Sequence, residues 1–185
     1  GLNKRALRPR GSGFAADYGE ASTHGAINLS SLALDRVLAV DPANQTVAAQ
    51  AGVTLGRLQD ALAESDQWLP LRPSGGGART LGGIAALGSC GPERLAYGAP
   101  RDLLLGLGFI SSEGRKISAG GQVVKNVAGY DLTRFMTGSA GALGFLTRLT
   151  FRTFQRPRAC LMASAPGSLD ACAAAAASLL VSTAE

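Results

Sequence analysis

Glycine constrains this chain more than any other residue: 25 of 185 positions carry it, well above the usual share of about 7%. The glycines follow no three-residue period, which excludes a collagen helix. They gather instead in Arg10-Gly11-Ser12-Gly13, Pro73–Gly77, Thr80-Leu81-Gly82-Gly83 and the segment from Gly138 to Gly144. Such clusters mark places where main chain runs without side chains, in turns with φ > 0 or in close approach to a neighbour. The rest of the composition is that of a folded chain: 46% hydrophobic and 17% charged, with a net charge of +5. At this length one domain, or two small ones, can build a core.

Several chemistries drop out early. The single histidine, His24, excludes multi-His zinc or iron sites and two-His metalloprotease motifs, so no metal ligand set is assigned. No Gly-x-Ser-x-Gly elbow is present for a hydrolase triad. Cys90, Cys160 and Cys172 are odd in number and lack CxxC spacing, which argues against a disulfide framework and suits a reducing cytoplasm. The apolar stretches Leu103–Ile110 and Ala171–Val181 are too short to span a bilayer. Lysines and arginines are scattered and aromatic residues make up 5%, a poor composition for a nucleic-acid surface.

The periodicities outline a mixed α+β chain. Lys4–Pro9 reads as a short strand entering the first glycine cluster. The alternation over Leu34–Val40, the Asp41-Pro42-Ala43-Asn44 turn and Thr46–Ala51 make a hairpin. Thr54 is placed to cap a helix with Leu55, Leu58 and Leu62 on one face. Thr80 begins a short helix through Leu87, and Leu103–Ile110 with Arg115–Ala119 forms a second strand pair about the turn Ser111–Gly114. Asp131 caps a helix carrying Leu132, Phe135 and Met136 on one face, with Gly138 as its C-cap. Leu143–Phe151 alternates, with Leu143, Phe145, Leu149 and Phe151 inward and Arg148 and Arg152 outward. Beyond Pro157 a strand at Ala159–Ala163 and a Ser168-capped helix are expected.

Two glycine clusters have the form of anion sites. Arg10-Gly11-Ser12-Gly13 follows a strand and offers main-chain N–H groups, a cation and a hydroxyl. Thr80-Leu81-Gly82-Gly83 puts a capping Thr and two glycines at a helix start, where free N–H groups and the macrodipole favour an anion. A tight surface turn explains a bare tetrapeptide like the first more often than not, and close helix-to-sheet packing explains the second equally well. Taken together they point to a ligand with a diphosphate and long apolar ends. No Gly-x-Gly-x-x-Gly follows a strand and no Gly-Lys-Ser/Thr occurs, so neither a Rossmann site nor a P-loop is present. A dinucleotide held outside the Rossmann plan remains.

The order of motifs makes the reading specific. Pro9-Arg10-Gly11-Ser12-Gly13, Val47–Gly52-Val53-Thr54, Thr80-Leu81-Gly82-Gly83, Gly91 through Tyr97-Gly98 and Arg101-Asp102 resembles an FAD-binding domain of the vanillyl-alcohol oxidase and p-cresol methylhydroxylase (PCMH) family. Gly121-Gln122-Val123-Val124-Lys125-Asn126-Val127-Ala128-Gly129-Tyr130-Asp131-Leu132, followed by Gly138-Ser139-Ala140-Gly141-Ala142-Leu143-Gly144-Phe145-Leu146-Thr147, is similar within that family to FAD-binding subunits of bacterial glycolate oxidases. The resemblance runs from about residue 7 to 157.

It implies an α+β, PCMH-type fold over residues 1–157, with FAD between subdomains of about 1–70 and 71–157, and residues 158–185 opening an incomplete cap domain. It assigns Arg10, Gly11, Ser12, Gly13 and Phe14 to the cofactor's pyrophosphate. Thr80, Leu81, Gly82, Gly83, Ala85, Gly88 and Gly91 would line flavin and diphosphate, and Phe145 and Leu146 would add main-chain contacts. Lys125, Asn126, Tyr130 and Asp131 are further candidates near the flavin, although a helix-cap role already accounts for Asp131. Members that attach flavin covalently through this loop commonly carry His where Phe14 stands, so non-covalent FAD is expected.

No catalytic residue can be named, since the family's substrate residues usually lie in segments absent here. The implied activity is that of an FAD-dependent oxidoreductase subunit that converts a 2-hydroxy acid to a 2-oxo acid, this fragment alone being inactive. Its partners would be a paralogous flavoprotein subunit and an iron–sulfur subunit, in the cytoplasm or peripheral to the inner membrane through those subunits. A fragment of a self-sufficient FAD-linked enzyme, such as a D-lactate dehydrogenase or sugar-alcohol oxidase, is the alternative, and a basic nucleic-acid-binding module a second.

Overall fold

The computed structural model describes residues 6–16, 25–121, 131–159 and 167–182. Strand β1 (Leu7–Arg10) pairs in parallel with β2 (Ile27–Ser30), Leu7 opposite Ile27 and Arg10 opposite Ser30. The expected hairpin follows as β3 (Val37–Asp41) and β4 (Thr46–Gln50), antiparallel, with an irregularity between Val37 and Ala39. Helix α1 (Leu55–Ala63) begins where the sequence places its cap: the Arg57 N–H donates to Thr54 Oγ1 at 3.4 Å. Its stripe of Leu55, Leu58 and Leu62 is buried, the outcome expected of an amphipathic helix laid on a core.

Strand β5 (Gln67–Trp68) leads to α2 (Leu81–Leu87), which Thr80 caps at its start and Gly88 at its end. Two single turns, α3 (Arg94–Tyr97) and α4 (Pro100–Leu103), precede the pair β6 (Leu104–Ile110) and β7 (Lys116–Gly120). Then come α5 (Leu132–Met136), β8 (Phe145–Arg152), β9 (Phe154–Gln155) and α6 (Leu169–Ser182).

Five strands form one antiparallel sheet in the order β3-β4-β8-β6-β7, so strands from both sides of residue 70 share its hydrogen bonds. The central strands are buried on both faces: Thr46, Val47, Ala48 and Ala49 of β4, and Leu149, Thr150 and Phe151 of β8. One hydrophobic cluster joins Val47, Ala49, Leu149 and Phe151 to Leu55, Leu58 and Leu62 of α1, Leu81, Ile84 and Ala85 of α2, and Met136 of α5. No helix among the described residues is long and apolar enough to cross a membrane.

The structure departs from the sequence reading in three places. The alternation proposed for 143–151 is broken by a bulge, because Gly108 faces Arg148 while Phe109 faces Leu146, leaving Thr147 without a partner on β6. An extra residue shifts the strand's inward set by one, so Leu146 is buried and Phe145 only half-buried, while Leu143 lies outside the strand. On α5, Met136 is buried but Phe135 is 62% exposed, since the helix is barely more than one turn and shows the core only a narrow edge. That helix closes at Thr137, with Gly138 one residue beyond it at φ +82°, the position glycine favours after a helix end. Helix α6 has its Ser168 cap, the Ala171 N–H donating to Oγ at 3.3 Å. His24, Cys160, Lys125, Asn126, Tyr130 and most of the strand expected at Ala159–Ala163 lie outside the described residues.

Asp131 caps α5 by accepting from the Thr133 hydroxyl at 2.5 Å and the Arg134 N–H at 3.1 Å. These bonds, the hydroxyl's first, hold its carboxyl below the usual carboxylate range. A depressed carboxylate stabilises the fold above the unfolded value near 3.8 and loses that contribution as pH falls through the lower folded value. Asp131→Asn keeps a capping oxygen, so denaturation curves from about pH 5 to about pH 2 should show a shallower acid limb for the variant. Phe151, 0% exposed at the sheet centre, tests the core: Phe151→Ala should cost about 3–5 kcal/mol in urea unfolding.

Candidate functional site

Strand β1 delivers the chain directly into Gly11, and its parallel partner β2 brings Asn28 and Ser31 alongside. The Ser31 N–H donates to the Arg10 carbonyl at 2.9 Å, with the Ser31 hydroxyl at 3.5 Å from the same oxygen. The far end of the loop is closed by the Ala16 N–H, which donates to Gly13 O at 3.0 Å, and by the Arg8 guanidinium, which donates to Ala16 O. Between these ties, the N–H groups of Gly11, Ser12, Gly13, Phe14 and Ala15 donate to nothing among the described residues. A run of main-chain donors left open in a concave loop is the arrangement that receives oxyanions.

The second glycine cluster plays a different part. Thr54 and Thr80 form an isolated antiparallel bridge, in which the Leu55 N–H donates to Arg79 O at 2.8 Å and the Leu81 N–H to Val53 O at 2.9 Å. The Gly82 N–H donates to Ala51 O at 2.8 Å, the Gly83 N–H to Thr80 Oγ1 at 3.3 Å, and the Ile84 N–H to Thr80 O at 2.9 Å. The free N–H groups expected at this helix start are therefore all taken. What the turn supplies is proximity. A Cβ at Gly82 would stand 2.9 Å from the Ala51 carbonyl oxygen, and one at Gly11 would overlap Thr80 Oγ1. Glycine at 82 lets the start of α2 lie on Ala51, and glycine at 11 lets the 10–16 loop lie on Thr80.

Ser12 and Thr80 consequently line one cleft of about 220 Å³. Its floor includes the Ala140–Gly144 turn, fastened to the end of α2 by N–H donation from Gly138 to Ala85 O at 3.0 Å and from Ala140 to Ala86 O at 2.7 Å. Three arginines line the cleft, Arg8, Arg10 and Arg79, and among the described residues no Asp or Glu does. Arg79 is 8% exposed. Its Nη1 donates to Ser74 O and its Nη2 to Ser89 Oγ, each at 3.0 Å, and the Phe14 ring centre lies 5.9 Å from its Cζ. Burial pulls its pKa below the ordinary arginine value, yet a guanidinium stays charged in a protein.

Of the residues singled out from sequence, Arg10, Gly11, Ser12, Gly13, Phe14, Thr80, Gly82, Gly83, Phe145 and Leu146 line this cleft. Leu81 and Ala85 turn instead into the core at 0% and 1% exposure. Gly88 ends α2 at φ +63°, and Gly91 packs against the Arg72 carbonyl and Glu93. Sequence reasoning missed Arg8, Asn28, Ser31, Ala51 and Arg79. Ser31 and Asn28 become neighbours only through the β1–β2 register, and Ala51 and Arg79 only through the Thr54–Thr80 bridge. Arg79 alone had a local sign, a cation directly before the capping Thr80.

Residues 2–133 match the FAD binding domain family. The chain is 43% identical over 122 residues to glycolate oxidase subunit GlcE of Escherichia coli, covering 65% of this chain and 35% of that protein. It is 35% identical to glycolate oxidase subunit GlcD of Bacillus subtilis and 36% to a D-lactate dehydrogenase of Archaeoglobus fulgidus, covering 80% of this chain in both cases and 32% and 33% of those proteins. Among solved structures, an alkyldihydroxyacetonephosphate synthase superposes with a TM-score of 0.69 at 24% identity, covering 83% of this chain and 28% of that one; this likeness concerns the fold alone. The chain spans about a third of the length of the curated relatives it matches.

The chain belongs to the FAD binding domain family, and its cofactor is FAD. The residues present fit that group. Five open main-chain donors and a carboxylate-free lining of three arginines, counted over the described residues, suit a diphosphate, and the glycine at position 11 keeps the cradle clear of a side chain.

Gly11→Ala forces a methyl into Thr80 Oγ1 and must push the 10–16 loop off α2. Flavin-fluorescence titration should show FAD affinity reduced roughly tenfold or more, comparable to losing a charge-assisted hydrogen bond.

Proposed function

We propose that this member of the FAD binding domain family holds FAD through the 10–16 loop and serves as a flavin-carrying part of a 2-hydroxy-acid oxidoreductase. The observation that carries the proposal is the run of open N–H groups from Gly11 to Ala15, among the described residues, in a cleft lined by three arginines. In this reading Arg10, Gly11, Ser12, Gly13 and Phe14 receive the diphosphate. Thr80, Gly82 and Gly83 form the opposite wall, and Phe145 and Leu146 close one end. Leu81, Ala85, Gly88 and Gly91 act through the shape of α2 and its exit rather than by touch. The cleft is smaller than the roughly 300–1,000 Å³ of sites that enclose a whole small molecule, so it grips one part of the cofactor.

When bound, FAD supplies the two-electron acceptor for oxidation of a 2-hydroxy acid to a 2-oxo acid. The chain's own task is to bind and orient. Open N–H groups replace the water that solvates the diphosphate, and arginine charge offsets its negative charge. Phe14 presents a hydrocarbon ring with no nucleophile for attachment, which supports non-covalent binding. Residues 1–157 make up the cofactor domain in this proposal, and residues 158–185 open a further one. The similarity to GlcE and GlcD supports a place in a multi-subunit glycolate oxidase, and in this proposal its neighbours there are a paralogous flavoprotein subunit and an iron–sulfur subunit. The similarity to a D-lactate dehydrogenase supports a second reading, in which the full protein oxidises its hydroxy acid unaided.

A visible spectrum of the purified full-length protein tests the cofactor assignment: oxidised-flavin bands should be present, and acid denaturation should free all of the chromophore. Flavin that stays with the polypeptide would defeat the non-covalent reading. Anaerobic addition of glycolate or D-lactate should bleach those bands. Bleaching only with partner subunits present favours the complex, and bleaching by D-lactate alone favours the second reading.

A further inference from the structure

Arg79 stands apart from every other cation in the described chain. It is buried, it lines the cleft, and it pairs with no carboxylate among the described residues. By contrast Arg57, Arg72, Arg101, Arg115 and Arg134 each have an acidic partner at the surface. Desolvating a charge without an opposite charge is costly unless something else compensates it. A guanidinium carries five N–H donors, and two of the side chain's nitrogens are spent on Ser74 O and Ser89 Oγ. The remaining N–H groups have no partner among the described residues.

Those two bonds fix the side chain from both flanks of α2, Ser74 before it and Ser89 after it, while the Phe14 ring rests over its Cζ at 5.9 Å. A cation locked in place, nine-tenths buried and short of partners, is a preformed receptor for an oxyanion.

We infer that Arg79 is a binding residue for a phosphate of the flavin nucleotide and makes the cleft select phosphorylated flavins over riboflavin. The inference rests on the FAD reading of this cleft and adds to it a residue from outside the glycine loop. Arg79 also carries Phe14, so filling the position with phosphate fixes the 10–16 loop against the start of α2. Lysine would keep the charge but lose the forked tie to Ser74 and Ser89.

The test is fluorescence titration of the purified, cofactor-stripped protein with FAD, FMN and riboflavin, for the parent and for Arg79→Gln and Arg79→Lys. Arg79→Gln should weaken FAD and FMN about ten- to hundredfold, the range of a charged hydrogen bond, and leave riboflavin within about twofold. Arg79→Lys should recover most of that loss. Equal weakening of all three flavins, or none, overturns the inference. Failure of the parent to bind FAD would sink the cofactor reading itself, a result distinct from parent binding that Arg79→Gln leaves unchanged. Should Arg79→Gln fail to fold, thermal unfolding of the parent and Arg79→Lys with inorganic pyrophosphate decides. Stabilisation of both supports the inference, and no shift in either refutes it.

Discussion

The antiparallel bridge between Thr54 and Thr80 is the contact on which the rest of the molecule turns. It joins two helix starts by donation from Leu55 to Arg79 O and from Leu81 to Val53 O. On one side of it the stripes of α1 and α2 sink into a shared core, with Leu55, Leu58, Leu62, Leu81 and Ile84 all at 3% exposure or less. On the other side Thr80 meets Gly11 and Arg79 lies in the cleft wall. The bridge is a few main-chain bonds wide, worth about 0.5–1.5 kcal/mol apiece, and so depends on the surrounding apolar packing. Core and cleft are in this sense two faces of one junction.

The junction also explains why two glycine clusters of similar appearance differ in chemistry. The 10–16 loop leaves an edge-like stretch of donors open, because β1 ends before it and only Ala16 and Ser31 tie its margins. The 80–83 turn has a β-like neighbour in residues 51–55, which consumes its first donors. With only seven residues, α2 would in any case carry a weaker terminal field than a long helix. Shape comes from one cluster and hydrogen-bonding capacity from the other.

Much of this organisation was legible in the sequence because its causes are local. The Thr54 and Thr80 caps, the Leu55-Leu58-Leu62 stripe and the Asp41-Pro42-Ala43-Asn44 hairpin each rest on residues close together in the chain, within about two helical turns. The ordered glycine motifs led to the cofactor family, and ten of the proposed contact residues do share a cleft. What could not be read depends on register between distant segments. Arg79 and Ala51 come together through a bridge that no periodicity announces, and Asn28 through a parallel pairing of two four-residue strands. The exposure of Phe135 follows from how a five-residue helix is docked, which its own pattern of apolar residues does not contain.

The bulge at Thr147 has a consequence for how the protein tolerates change. Its carbonyl accepts the Ala51 N–H at 3.0 Å, so the unpaired residue of β8 is bonded to the segment that backs Gly82. Downstream of it Leu149 and Phe151 fill the centre of the molecule, while upstream Phe145 reaches the ligand side. A single strand thus serves two masters through one irregularity. Deleting that residue would remove one of the two register shifts between β6 and β8 and slide the upstream half out of phase, so a neater sheet would be a worse protein.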